Sequence, residues 1–163
     1  MIEKPADIIK DPVILEFLGL EEKPEYSEFE FETEIINKLE NFLLELGKGF
    51  LFDSRQKRIT FDDNNFFIDL VFYNRILKCF VLIDLKIGKL THQDIGQMQM
   101  YVNYYDRVVK NDDENKTIGI ILCKEASKSV VKFTLPENND NIFASRYKLY
   151  LPSKKNLIEQ LNT

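Results

Sequence analysis

The sequence predicts an α/β domain: a mixed central β-sheet flanked by helices, in the order helix, three strands, helix, strand (αβββαβ). Three observations point there. Apolar, β-branched and aromatic runs such as NFFIDLVFY, LKCFVLIDL and TIGIILC are bounded by turn residues and have strand length. Two stretches place apolar residues at helical spacing behind a capping signal. The chain has 163 residues, 44% hydrophobic and 30% charged, the size and composition of one globular domain with a core of its own.

Residues 1–26 are the least regular part. The stretch DPVILEFLGL has a short apolar pattern closed by Gly19, and Pro24 breaks the chain again. It reads as a lead-in segment that packs on the domain or once joined another one, ahead of a main domain at 27–163. Ser27 and Glu30 fit a capping box. Ile35, Leu39, Phe42 and Leu46 follow at helical spacing, and Gly47 is suited to the C′ position. Residues 49–61 (GFLFDSRQKRITF) read as a first strand, Asp62-Asp63-Asn64 as a turn, and residues 65–73 as a second strand. Asn74-Arg75 suggests a tight turn into a third strand at residues 77–85.

Thr91 with Asp94 marks the next helix, with an apolar stripe of Ile95, Met98, Val102, Tyr105 and Val109. Residues 111–115 form a polar loop and 117–123 a buried strand. Residues 127–150 are expected to hold a short helix and one more strand, and a terminal helix follows Pro152.

Composition narrows the function classes. The net charge of −5, from 22 basic and 27 acidic residues, excludes a protein that grips nucleic acid through global positive charge. A local patch remains open. Cys79 and Cys123 each lie in an apolar stretch, without zinc-ligand spacing, and read as reduced thiols of a cytoplasmic protein. No apolar run reaches the length of about 18 residues that a membrane span needs, so no membrane partner is expected.

The informative residues are Asp69, Asp84 and Lys86. Asp69 lies inside the apolar strand FFIDLVF, and Asp84 and Lys86 close the strand CFVLIDLK. A charge in such surroundings is costly unless it is paired or binds a metal. Asp84 and Lys86 share a strand face, and strand parity across an even-length hairpin loop brings Asp69 to the same face. The register is the difficulty. A two-residue turn at Asn74-Arg75 sets Asp69 opposite Phe80 and leaves roughly 13 Å along the strand to Asp84. A longer loop or a bulge is therefore expected.

Two carboxylates beside a lysine suit metal-assisted phosphodiester hydrolysis, in which a Mg²⁺ keeps several waters and a lysine stabilises the charged transition state. A salt bridge at a strand end is the other reading. Glu32 continues the apolar stripe of the first helix, as a helix-terminal acid or as a third carboxylate of the site. Gln97 and Tyr101 share a face of the second helix, where a glutamine is either interfacial or directed at the carboxylate pair.

In combination, Asp69…Asp84-Leu85-Lys86 and Gln97-Met-Gln-Met-Tyr101 resemble the PD-(D/E)xK nuclease superfamily, the second being similar to the Q-x-x-x-Y motif of RecB-type nucleases. More narrowly, FLLELGKGF, RQKRIT, FFIDLVFYNR, LKCFVLIDLKIGKL, GQMQMYVNYYD, TIGIILCK and YKLYLP resemble the catalytic C-terminal domain of YhcG-like proteins, over about Leu15 to Pro152. The resemblance implies a restriction-endonuclease-like fold and metal-dependent cleavage of DNA. It implies Asp69 and Asp84 as ligands of Mg²⁺ or Mn²⁺, Lys86 as catalytic lysine, Glu32 as first-helix acid and Gln97 as supporting polar residue. Ile68 departs from the proline of the superfamily name, and Asp84 takes the D/E position. YhcG-like proteins usually carry a helical N-terminal domain, so residues 1–26 are expected to be the remnant of that junction.

Candidate phosphate contacts are Arg55, Lys57 and Arg58 before the site and Lys89 after it, with Tyr101 as a further nucleic-acid contact; a solvated strand face is the plainer reading of the cations. The competing function is a catalytically silent module that binds nucleic acid or protein on a nuclease scaffold. The expected partner is DNA, with a homo-oligomer or the subunits of a larger DNA-processing system as further possibilities. The aromatic face of Tyr101, Tyr104 and Tyr105 reads equally as a dimer surface or as core.

Overall fold

The computed structural model describes residues 14–18, 28–37, 47–125 and 128–150. Among these described residues six strands form one sheet: β1 (Ile14–Leu18), β2 (Phe50–Phe61), β3 (Asn64–Asn74), β4 (Cys79–Lys89), β5 (Ile118–Glu125) and β6 (Ile142–Tyr150), in the spatial order β1-β6-β5-β4-β3-β2. Helices α1 (Glu28–Asn37), α2 (His92–Tyr104) and α3 (Lys128–Thr134) connect and flank them. The β2–β3 and β3–β4 pairs are antiparallel; β4–β5, β5–β6 and β1–β6 are parallel. The predicted mixed α/β order is therefore observed, including the short helix and extra strand after residue 127. Part of the lead-in joins the sheet, since β1 forms its edge beside β6. The predicted Ser27 capping box, the second half of the first helix and the helix after Pro152 lie outside the described residues.

Helix α2 shows why the local signals work. The Thr91 side chain accepts from the Asp94 amide while the Asp94 carboxylate accepts from the Thr91 amide, the reciprocal cap expected from the sequence. Ile95, Met98, Tyr101 and Val102 then bury one face of the helix. That face packs with Ile68, Val71, Leu82, Ile121 and Cys123 of the sheet to form the core. The helix comes very close to β5 at Gly119, where an added Cβ would stand 2.7 Å from Met98 Cγ and Sδ. A side chain there would force the two layers apart.

The predicted apolar stripe fails at its last member. Beyond Tyr104 the chain widens into a π turn, Tyr105–Val109, with the Lys110 amide donating to the Tyr105 carbonyl. The wider repeat changes the phase of the stripe. Tyr105 stays buried, whereas Val109 is 40% exposed and Val108 is 65% exposed. Asp106 gains a structural partner, its Oδ1 accepting from the Thr117 amide at 2.8 Å.

The β3–β4 turn differs from the two-residue reading. Asn74 pairs with Cys79, so the loop holds residues 75–78. Asn74 is fully buried, and its Oδ1 accepts from the Ile76 and Leu77 amides at 3.0 Å while its Nδ2 donates to the Lys48 carbonyl at 2.8 Å. Asn115 holds the other side through the Leu77 and Lys78 carbonyls. Side chains thus supply the hydrogen bonds that a tight turn would have supplied from its own backbone.

Candidate active site

The longer loop sets the register. Phe72 pairs with Val81, Val71 with Leu82 and Leu70 with Ile83. One step further, this register brings Asp69 level with Asp84, which removes the separation that the two-residue turn implied. The β3–β4 pairing stops at Leu70 and Ile83. Beyond that point β3 continues alongside β2, through Ile68 opposite Lys57, and β4 continues alongside β5, through Asp84 opposite Ile121. The sheet divides into two limbs at the aspartates.

The carboxylates accept from backbone amides across the division. Asp69 Oδ2 accepts from the Leu85 amide at 2.8 Å, and Asp84 Oδ1 accepts from the Asp69 amide at 3.3 Å. Between the limbs lies a cleft of about 410 Å³. Asn65, Phe66 and Phe67 form one wall, Asp84, Leu85, Lys86 and Ile121 the other, with Asp69 between them, and α2 contributes Asp94, Gln97 and Tyr101. The structure therefore gathers Asp69, Asp84, Lys86, Gln97 and Tyr101 around one cleft.

Lys86 Nζ lies 3.4 Å from Asp94 Oδ1, the acid whose other oxygen closes the α2 cap. The sequence marks Asp94 only as a capping residue; its position beside Lys86 follows from α2 crossing over β4. Tyr101 is 1% exposed, and its hydroxyl donates to the Phe67 carbonyl at 3.2 Å. Burial first, and then the charges of Asp84 and Asp69, push the Tyr101 hydroxyl above its ordinary pKa, so it stays protonated and acts as a donor. Tyr101 and Tyr105 are both core residues, which removes them from any dimer face.

Glu32 of α1 is 2% exposed and lies behind the cleft rather than in its lining. Its Oε1 accepts from Arg55 Nε at 2.9 Å and its Oε2 from Gln56 Nε2 at 2.7 Å. Arg55, a candidate phosphate contact by sequence, thus directs its Nε to Glu32. Gln56 Nε2 also donates to Asp69 Oδ1 at 3.0 Å. Gln56 has φ 48°, a left-handed conformation that costs a non-glycine residue roughly 1–2 kcal/mol. Sequence reasoning missed this residue, because a glutamine within RQKRIT carries no signal of a left-handed strand position. Lys57, Arg58 and Lys89 are exposed and lie outside the cleft lining, with Arg58 opposite Phe67 in the ladder.

The donor set discriminates between metals. Among the described residues, no group of three or more His, Cys, Asp or Glu side chains could hold a metal ion. A caged zinc needs such a group. Two carboxylates in an open polar cleft fit instead a hard cation such as Mg²⁺, which takes one or two carboxylates and completes its shell with waters and phosphate oxygens.

The fold is a mixed α/β domain whose sheet parts at a cleft lined by two aspartates and a lysine. The chain belongs to the YhcG PDDEXK nuclease domain family, whose model matches residues 6–162. It is 45% identical over 157 residues to the putative nuclease YhcG of Escherichia coli (strain K12), covering 96% of this chain and 41% of that protein. The chain thus spans less than half the length of the curated relative it matches. Among solved structures, an EndoMS–dsDNA complex superposes with a TM-score of 0.50 at 16% identity, over 83% of this chain and 50% of that one. A repair endonuclease from Pyrococcus abyssi gives a TM-score of 0.47 at 18% identity, over 82% of this chain and 50% of that one. Among the described residues, no helix is long and apolar enough to cross a membrane.

Proposed function

We propose that this domain hydrolyses phosphodiester bonds in DNA with the help of a divalent cation, Mg²⁺ or Mn²⁺, held by Asp69 and Asp84. One observation carries the reading: the two aspartates come level where β3 and β4 part, at a cleft that also receives Lys86. When bound, such an ion lowers the pKa of a coordinated water and offsets charge on the phosphate.

The chain's own groups do the rest. Asp69 and Asp84 bring two negative charges to one point, and the Leu85 and Asp69 amides fix an oxygen of each. The Lys86 ammonium, kept in the cleft by Asp94, stabilises charge developing on the phosphate oxygens. Gln97 presents its amide to the substrate, and Tyr101 holds the Phe67 backbone that forms the facing wall. Glu32 acts behind the site through Gln56. Lys57, Arg58 and Lys89 contact phosphates outside the cleft, a local footing that a net charge of −5 makes necessary. Double-stranded DNA is the first substrate to try, because the EndoMS structure of similar fold is described as a complex with it.

The test is cleavage of supercoiled, linear and single-stranded DNA with Mg²⁺, Mn²⁺ or chelator. Metal-dependent product that disappears in Asp69→Asn, Asp84→Asn and Lys86→Ala, each still folded, is the expected result. Binding of DNA without metal and without cleavage, falling steeply with salt, points to the silent binding module instead.

A further inference from the structure

We propose that Gln56 is a positioning residue for Asp69, with its side-chain amide setting the orientation of the carboxylate that binds the cation. The inference rests on the site assignment above. Gln56 is a backbone outlier. Gln56 lies between two regular pairs of the β2–β3 ladder, Arg55 with Leu70 and Lys57 with Ile68, yet its φ is 48°. The ladder skips the Gln56–Asp69 pair at this point, and neither glycine nor asparagine occupies the position. A strained backbone conformation is retained where it performs a task.

The task is visible in the side chain. An amide nitrogen carries two hydrogens. Gln56 Nε2 directs them to two acids from different elements, Glu32 Oε2 at 2.7 Å and Asp69 Oδ1 at 3.0 Å. Asp69 Oδ2 is held separately by the Leu85 amide. With a donor at each oxygen, the carboxylate plane of Asp69 is fixed before any ion arrives. Glu32 in turn is anchored by Arg55, so the chain of contacts runs from Arg55 through Glu32 and Gln56 to Asp69. A neutral amide suits the middle of this chain. A cation there would compete with the ion for Asp69, and a third acid would repel both carboxylates. Partners of this kind typically change metal affinity or activity about 10–100-fold when lost.

Two variants separate positioning from structural support. Gln56→Leu removes both donors at similar size. Gln56→Gly removes them and also relieves the left-handed backbone. Mn²⁺ binding is measured by calorimetry, and melting by circular dichroism, on the full chain. Both variants are expected to bind Mn²⁺ about tenfold more weakly, and Gln56→Gly is expected to melt at or above the temperature of the unsubstituted chain. Binding unchanged in both variants overturns the proposal. So does a fall in melting temperature of Gln56→Gly that parallels the loss of binding, because Gln56 is then only structural support. Asp69→Asn is the control for the site itself. If Mn²⁺ binding of the unsubstituted chain survives that substitution, the site assignment fails first. If Asp69→Asn abolishes binding and the Gln56 variants do not weaken it, the site assignment stands and only the positioning role is lost.

Discussion

At its turn, the hairpin of β3 and β4 is closed by Tyr73 edge-on to Phe80, their ring centroids 5.2 Å apart, and by the buried amide of Asn74. At its other end the same two strands part, and carboxylates accept from the Leu85 and Asp69 amides. The first end is apolar and paired; the second is polar and divided. Backbone amides need acceptors at both ends. Supplying them from side chains lets the strands separate without orphaned donors, and leaves acids facing a cleft. The difference teaches that one hairpin can be fully paired at its turn and still open a polar cleft at its other end, where the proposed chemistry lies.

The sharpest way to break this division is Asp84→Asn. It keeps an oxygen for the Asp69 amide and removes the charge. DNA cleavage is expected to fall by about a thousandfold, with the melting temperature held. A large loss of stability instead would mean that the carboxylate is a structural pin. Leu82→Ala, in the fully buried paired part of the hairpin, should do the reverse. Urea unfolding should show a loss of about 2–5 kcal/mol, with cleavage per folded molecule retained. Gly119→Ala lies between the two regimes, because it pushes on the helix that carries Gln97 and Tyr101. Overpacking there should cost about 1–3 kcal/mol and reduce cleavage as well. Thr91→Ala removes the cap of the same helix and should cost about 1 kcal/mol by urea unfolding.

The smallest effect at neutral pH concerns the buried thiols. Burial pushes Cys79 up to about 12 and Cys123 to about 11, against 9.0 for an exposed thiol. Their folded-state values lie above the unfolded ones. The neutral form is therefore favoured in the fold, and this contribution is intact below pH 9 and lost as pH rises toward 11–12. Tyr73 and Tyr105, also pushed up to about 12, add to the slope from pH 10 upward. Unfolding titrations at pH 8, 9.5 and 10.5 should show the decline, and Cys79→Ala with Cys123→Ala should remove its first part.

Much of this comparison was legible in the residues. The apolar runs locate β3, β4 and β5, and the Thr91/Asp94 pair locates the start of α2. Strand parity puts Asp69 and Asp84 on one face, and the distance argument demands a longer loop than Asn74-Arg75 suggests. What stayed hidden depends on contacts remote in sequence. Lys78 takes a left-handed conformation, φ 54°, without a glycine to announce it. Asn74 looks like a turn residue, while its work is to hold the amides of a loop that buries Leu77. Arg55 looks like a surface cation until α1 brings Glu32 beside it. Gln56 gives no local sign at all, since its meaning arises only when two acids from separate elements converge on its amide.

The π turn after α2 makes residue number more important than residue kind. Each helical residue turns the chain by about 100°. Deleting one position within 105–109 would restore the ordinary helical phase and swing the following segment around the axis. The Asp106 carboxylate would then no longer meet the Thr117 amide at the start of β5. Val108 or Val109, now largely exposed, would turn toward the sheet. A one-residue deletion there should therefore be tolerated far less than any single substitution at the same exposed valines.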